Sequence, residues 1–164
     1  MTLILPGFSI INKIEAESIK IALESNGEQV LLHEWRHWSN ESIEWNADQE
    51  IEILKSKLNT TLPISIVAKS IGTAVAAELV QFLNVQNIVL LGIPVNDIDI
   101  GKHSIYQNFK GKNITVIQNN DDSHGTVEQV QSLLKGVDYK LIGKPSSTHN
   151  YPYVQDVINA LALK

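Results

Sequence analysis

Ile64-Ser65-Ile66-Val67-Ala68-Lys69-Ser70-Ile71-Gly72-Thr73-Ala74-Val75-Ala76-Ala77 decides the reading of this chain. The first half is β-branched and apolar on successive residues, as a strand buried on both faces should be. From Ile71 the pattern changes period: Ile71, Val75, Leu79 and Phe82 recur three and four apart, while Gly72, Ala74, Ala76 and Ala77 are small enough for close helix packing. A strand that becomes a helix with no loop between holds Ser70 at the bend. Ala68 and Gly72, two before and two after it, are small enough for the backbone to double back there. The Ile71 N–H then lies at a helix N-terminus, where negative charge is stabilised. Taken alone, the stretch equally admits a plain reading, in which Ser70 only caps an ordinary helix.

Working outward, short apolar runs recur at Thr2–Leu5, Gln29–Leu32, Ile64–Ala68, Asn87–Leu91, Asn113–Ile117 and Asp138–Ile142, separated mostly by segments of helical period. Ile11–Glu24, Asn46–Leu58, the stretch after Ser70, and the stripes Val127, Val130, Leu133, Leu134 and Val154, Val157, Ile158, Leu161 are the expected helices. This alternation predicts an α/β chain with a mainly parallel six-stranded sheet covered by helices. Gly92–Lys112 has no clear period and is expected as a loop with one helical turn.

The chain has 164 residues, a length that fits one domain over residues 1–164. Thirteen basic against eighteen acidic residues give a formal charge of −5 with no block of like charge, so a nucleic-acid partner is not expected. Zero cysteines exclude a disulfide scaffold, a thiol nucleophile and a cysteine-ligated metal. No apolar run approaches a membrane span, and the N-terminus lacks a basic leader, so a cytoplasmic protein without a membrane partner is expected.

Ala68-Lys69-Ser70-Ile71-Gly72 resembles the G-x-S-x-G nucleophile elbow of the α/β-hydrolase superfamily, with Ala in the first Gly position. The resemblance implies a three-layer α/β/α sandwich with strand order 2-1-3-4-5-6 and, for so short a chain, no lid. It also implies the chain order serine, acid, histidine, each after a strand. Behind Ile114–Ile117 stand Asp121 and Asp122; Gly125, three residues after Asp122, fits the small residue of similar family members, which makes Asp122 the expected acid and Asp121 the alternative. Asp97 and Asp99, after the fourth strand, are further candidates. His149 follows the sixth strand and has the address of the base. Pro6-Gly7-Phe8 resembles the family's His-Gly-x loop with Pro in place of His, so the Phe8 N–H joins that of Ile71 as a candidate oxyanion donor. The implied activity is serine hydrolysis of a small ester, thioester or related acyl compound, with no cofactor or metal and with an open site showing little preference for long acyl chains. A monomer or homodimer is expected.

Two other readings stand beside it. A non-catalytic binding module of the same fold is supported by the departures at Ala68 and Pro6. His33-Glu34-Trp35-Arg36-His37 spells H-E-x-x-H, which on a helix would put two imidazoles on one face of a zinc peptidase site, with Glu34 as base and Glu50 or Glu52 as a third ligand. If strand two ends near His33, Trp35, Trp38 and Trp45 instead fall in a loop at the carboxyl edge of the sheet, where they would wall the pocket beside Ser70, Trp35 and Trp38 first among them.

Overall fold

The computed structural model describes residues 1–59 and 61–162. Six strands, β1 (Thr2–Leu5), β2 (Val30–Leu32), β3 (Ile64–Lys69), β4 (Val85–Leu91), β5 (Asn113–Asn119) and β6 (Lys140–Lys144), form one parallel sheet in the order 2-1-3-4-5-6. The helices are α1 (Asn12–Ser25), α2 (Arg36–Ser39), α3 (Ala47–Lys57), α4 (Ile71–Leu79), α5 (Val127–Leu133) and α6 (Val154–Ala160). No helix among the described residues is long and apolar enough to cross a membrane.

Strand alternation sorts the core into two layers. Leu3, Leu5, Ile66, Ala68, Leu90 and Val116 point toward the side carrying α3, α4 and α5, while Ile4, Val67, Val89, Leu91 and Ile117 point toward α1 and α6. Both faces of the central strands are therefore dry, which explains their unbroken apolar runs.

The structure departs from the sequence reading after β4, at several strand ends and on α1. Gly92–Lys112 is more ordered than a loop, because Ile100–Phe109 forms successive 3₁₀ turns that bury Tyr106 and Phe109 against α4. The sixth strand begins at Lys140, two residues later than expected, and the fourth at Val85, two residues earlier. Helix α1 buries Ala16, Ile19 and Leu23 and leaves Ile14 and Ile21 exposed; two isoleucines seven residues apart share a face, but that face is turned to solvent.

Strand order fixes where a site can form. β1 has β2 on one side and β3 on the other, so the chains leaving β1 and β3 diverge and open a crevice at their carboxyl ends. Phe8 follows β1 and Ser70 follows β3. The loops after β5 and β6 stand along the same edge.

Candidate active site

Ser70 is the bend itself. Its backbone has φ 52° and ψ −125°, a conformation that L-residues with a side chain adopt only under constraint. The surroundings supply that constraint: the Ser70 N–H donates to Leu91 O at 2.9 Å, and the Thr73 N–H and hydroxyl donate back to Ser70 O at 2.9 and 2.7 Å. Gly72 is required for a separate reason. A Cβ there would lie 2.4 Å from Leu5 O and 2.8 Å from Pro6 O, so only glycine lets α4 start this close to the end of β1. Ala68, fully buried, fits without difficulty where the resemblance has glycine.

Ser70, His149 and Asp122 come together although 79 and 27 residues separate the bonded pairs. Ser70 Oγ lies 2.9 Å from His149 Nε2, and His149 Nδ1 lies 2.7 Å from Asp122 Oδ2. With Nδ1–H donating to the carboxylate, Nε2 is left to accept the serine proton. Asp122 is fully buried. Burial pushes its carboxyl upward, but hydrogen bonds from His149, the Tyr151 hydroxyl and the His124 N–H outweigh that and hold it below the ordinary carboxylate value. The acid is therefore a charged acceptor at neutral pH.

The alternative acids lie elsewhere. Asp97 Oδ2 meets His124 Nδ1 at 2.5 Å, not His149, and Asp121 is exposed, with its N–H donating to Ser146 O. Asp99 uses its carboxylate to accept from the Gly101 N–H. His124 has its own place beside the trio, its ring 4.1 Å from that of His149 between centroids.

Two further residues hold this arrangement, and the sequence reading passes over both. Tyr151, fully buried, donates its hydroxyl to Asp122 Oδ2 at 2.6 Å and accepts from the Asn119 N–H at 3.1 Å; burial and the neighbouring carboxylate both push that phenol's ionisation up, so it stays a donor. Asn119 donates to Thr148 O at 2.7 Å and Asn150 O at 3.0 Å, gripping the chain on either side of His149. Their signal is only positional: Asn119 ends β5 and Tyr151 stands two residues after the histidine. Room for the Tyr151 ring depends on Gly92, where a Cβ would lie 2.3 Å from it.

The H-E-x-x-H segment does not form a metal site, a correction to the zinc reading. Only Arg36–Ser39 is helical, so His33 and His37 do not share a helix face. His33 ends the sheet edge, its N–H on Ile4 O and its Nε2 2.9 Å from the buried Glu50. Burial, more than any other cause, depresses its protonation, so it is a neutral donor to that carboxylate.

The rest of the segment grips the loop after β1. The Trp35 indole N–H donates to Gly7 O at 3.0 Å, and Trp38 Nε1 and His37 Nε2 donate to Phe8 O at 2.7 and 2.8 Å. Trp35 is therefore a core residue, 1% exposed, rather than a pocket wall, and Trp38 likewise faces a carbonyl. Because a trans peptide sets C=O and N–H on opposite sides, an anchor on Gly7 O turns the Phe8 N–H away from Trp35. The Ile71 N–H, first in its helix, has no intrahelical acceptor. A cavity of about 460 Å³ opens beside Ile71, and the tryptophan on its wall is Trp45.

No family model and no curated relative matches the chain. Solved structures do. The mouse alpha/beta hydrolase domain-containing protein 10 superposes with a TM-score of 0.74 at 10% identity, covering 98% of this chain and 87% of that one. An alpha-beta serine hydrolase homologue from Coxiella burnetii gives 0.74 at 16% identity, with 98% and 82% covered. A serine hydrolase without lid from Xanthomonas campestris gives 0.70 at 18% identity, with 98% and 78% covered. Nearly the whole chain thus follows one architecture, and that architecture is the α/β-hydrolase fold in its lidless form.

Proposed function

We propose that the protein is a serine hydrolase acting on a small acyl ester or thioester. The observation that carries this reading is the unbroken line Ser70 Oγ, His149 Nε2, His149 Nδ1, Asp122 Oδ2, with separations of 2.9 and 2.7 Å, starting from a serine held at positive φ. A serine that merely capped a helix would have no use for a strained backbone, a histidine and a buried carboxylate in line.

In the reaction, Ser70 Oγ attacks the carbonyl carbon as its proton passes to His149 Nε2, and the carbonyl oxygen becomes an oxyanion facing the Phe8 and Ile71 N–H groups. Asp122 stabilises the resulting imidazolium and keeps its tautomer. Collapse breaks the bond to the alcohol or thiol, which leaves with the proton from Nε2. Water then attacks the acyl-serine, giving its proton to His149; the acid is released and Ser70 recovers its proton.

Intact mass after treatment with a fluorophosphonate tests this without a known substrate. The expected result is one adduct per chain on the wild type and none on Ser70→Ala or on His149→Ala. Absence of an adduct on folded wild type overturns the reading and favours a binding module that kept the fold.

A further inference from the structure

The cavity beside Ile71 lies between α3, α4 and the 3₁₀ segment, with Trp45, Ile51, Ile71, Ala74, Ile98 and Ile105 among its apolar lining. Its volume of about 460 Å³ is that of a small-molecule site. Ile71 lines it together with Ala74, Val75 and Glu78, three, four and seven residues further on, which is one face of α4 starting at the residue after Ser70. Seven residues of helix are about 10 Å long, the reach of roughly eight bonds of an extended chain at ~1.2 Å each.

Which half of a substrate lies there follows from the proton path. The leaving group must face His149, which protonates it. Neither Ser70 nor any residue of the 143–150 loop lines the cavity; its link to the nucleophile is Ile71, the residue after Ser70, on the side of a candidate oxyanion donor. The group that remains on Ser70 is the one the cavity suits.

Its rim adds a sign. Asp48, Glu78, Asp97 and Asp99 are among its lining against the ammonium of Lys102, and of these Asp97 is already paired with His124. An acyl group ending in a carboxylate or phosphate would meet both apolar walls and like charge.

We propose that this cavity is the acyl site, taking an apolar acyl chain of about six to eight carbons that carries no negative charge. The proposal rests on the hydrolase reading and narrows it, adding a preference for medium chains to the expectation of little preference for long ones.

The test uses 4-methylumbelliferyl esters of acetate, hexanoate and octanoate, with kcat/KM compared within each preparation. Wild type should favour hexanoate over acetate by about tenfold or more, since each added methylene finds apolar cover. Ala74→Phe, which puts a ring into the cavity, should bring that ratio to about one, and Ile98→Trp should lower it by a second route. Fluorophosphonate labelling of each variant reports whether Ser70 is intact. In the charged arm, hexanoyl esters ending in trimethylammonium or in carboxylate are compared; the cation should win by about tenfold at low salt and by less at about 0.5 M salt.

Acetate matching hexanoate on a wild type that labels at Ser70 would overturn the acyl site and leave the hydrolase reading intact, as would an unchanged ratio in both cavity variants. A carboxylate-ended ester as fast as its cationic counterpart would overturn the claim on charge. A wild type that fails to label would instead strike the hydrolase reading itself.

Discussion

The chain carries two short motifs, and the better-spelled one does not form the site it names. His33–His37 matches H-E-x-x-H letter for letter, while Ala68–Gly72 misses the first glycine of G-x-S-x-G. What separates them is backbone. The zinc motif needs a helix to stack residues i and i+4, and its segment instead leaves the end of a strand and coils into a single turn. The elbow needs a strand, a positive φ and a helix in immediate succession, and Ser70 has all three. A motif is a statement about side chains that holds only if the chain supplies the conformation beneath it.

The sharpest way to break this comparison is to remove a charge from one segment's machinery. Asp122→Asn should lower kcat by about 10⁴ on any ester the protein turns over, because an amide there can hold His149 in the wrong tautomer. Glu34→Gln should change kcat little: in the zinc reading Glu34 is the base, whereas here its carboxylate is exposed and paired with Lys13 at 2.8 Å. Steady-state kinetics with equal loss in the two variants would return the H-E-x-x-H segment to candidacy.

A smaller effect should come from the segment's actual contact. Trp35→Phe keeps an aromatic ring in the core but deletes the donor to Gly7 O. Full loss of one oxyanion donor costs about 10²–10³ in kcat, and a loosened Phe8 peptide should cost about tenfold, with KM little changed. Binding of a trifluoromethyl ketone, whose adduct carries the oxyanion, should weaken in parallel. A drop in melting temperature with unchanged kcat and unchanged ketone affinity would show that Trp35 only fills space.

The sequence made the sheet legible because its central strands are dry on both faces and its helices announce a change of period. Ser70, Asp122 and His149 were legible by address, each following a strand at the carboxyl edge. What stayed hidden depends on distance through space. Tyr151 acts on Asp122, and Asn119 on the His149 loop, through a few hydrogen bonds from positions with no spacing rule. Likewise nothing in the spelling of Trp35 says that its indole reaches back 28 residues to Gly7. Gly125 ranks Asp122 ahead of Asp121 in the sequence, and the fold adds the physical difference: the two neighbours point to opposite environments, one fully buried, the other exposed.

The smallest expected effect concerns His33, the remaining imidazole of the rejected motif, and reads out in stability rather than rate. Burial depresses its protonation from the ordinary value of 6.5, so the unfolded chain binds the proton at a higher pH than the folded one. Above 6.5 both states hold a neutral ring and the full contribution is present. As pH falls below that value the unfolded state takes up the proton first, and stability is lost until the folded pKa is passed. His33→Gln retains a neutral donor toward Glu50 without a titrating ring. Chemical denaturation between about pH 7.5 and pH 5 should therefore show a wild-type midpoint that falls with acid and a variant whose midpoint falls less. Parallel curves would mean that His33 keeps its ordinary protonation inside the fold. A wild type that gained stability on acidification would mean that the ring is protonated there, and that Glu50 outweighs burial at the one histidine of the motif that sits in the core.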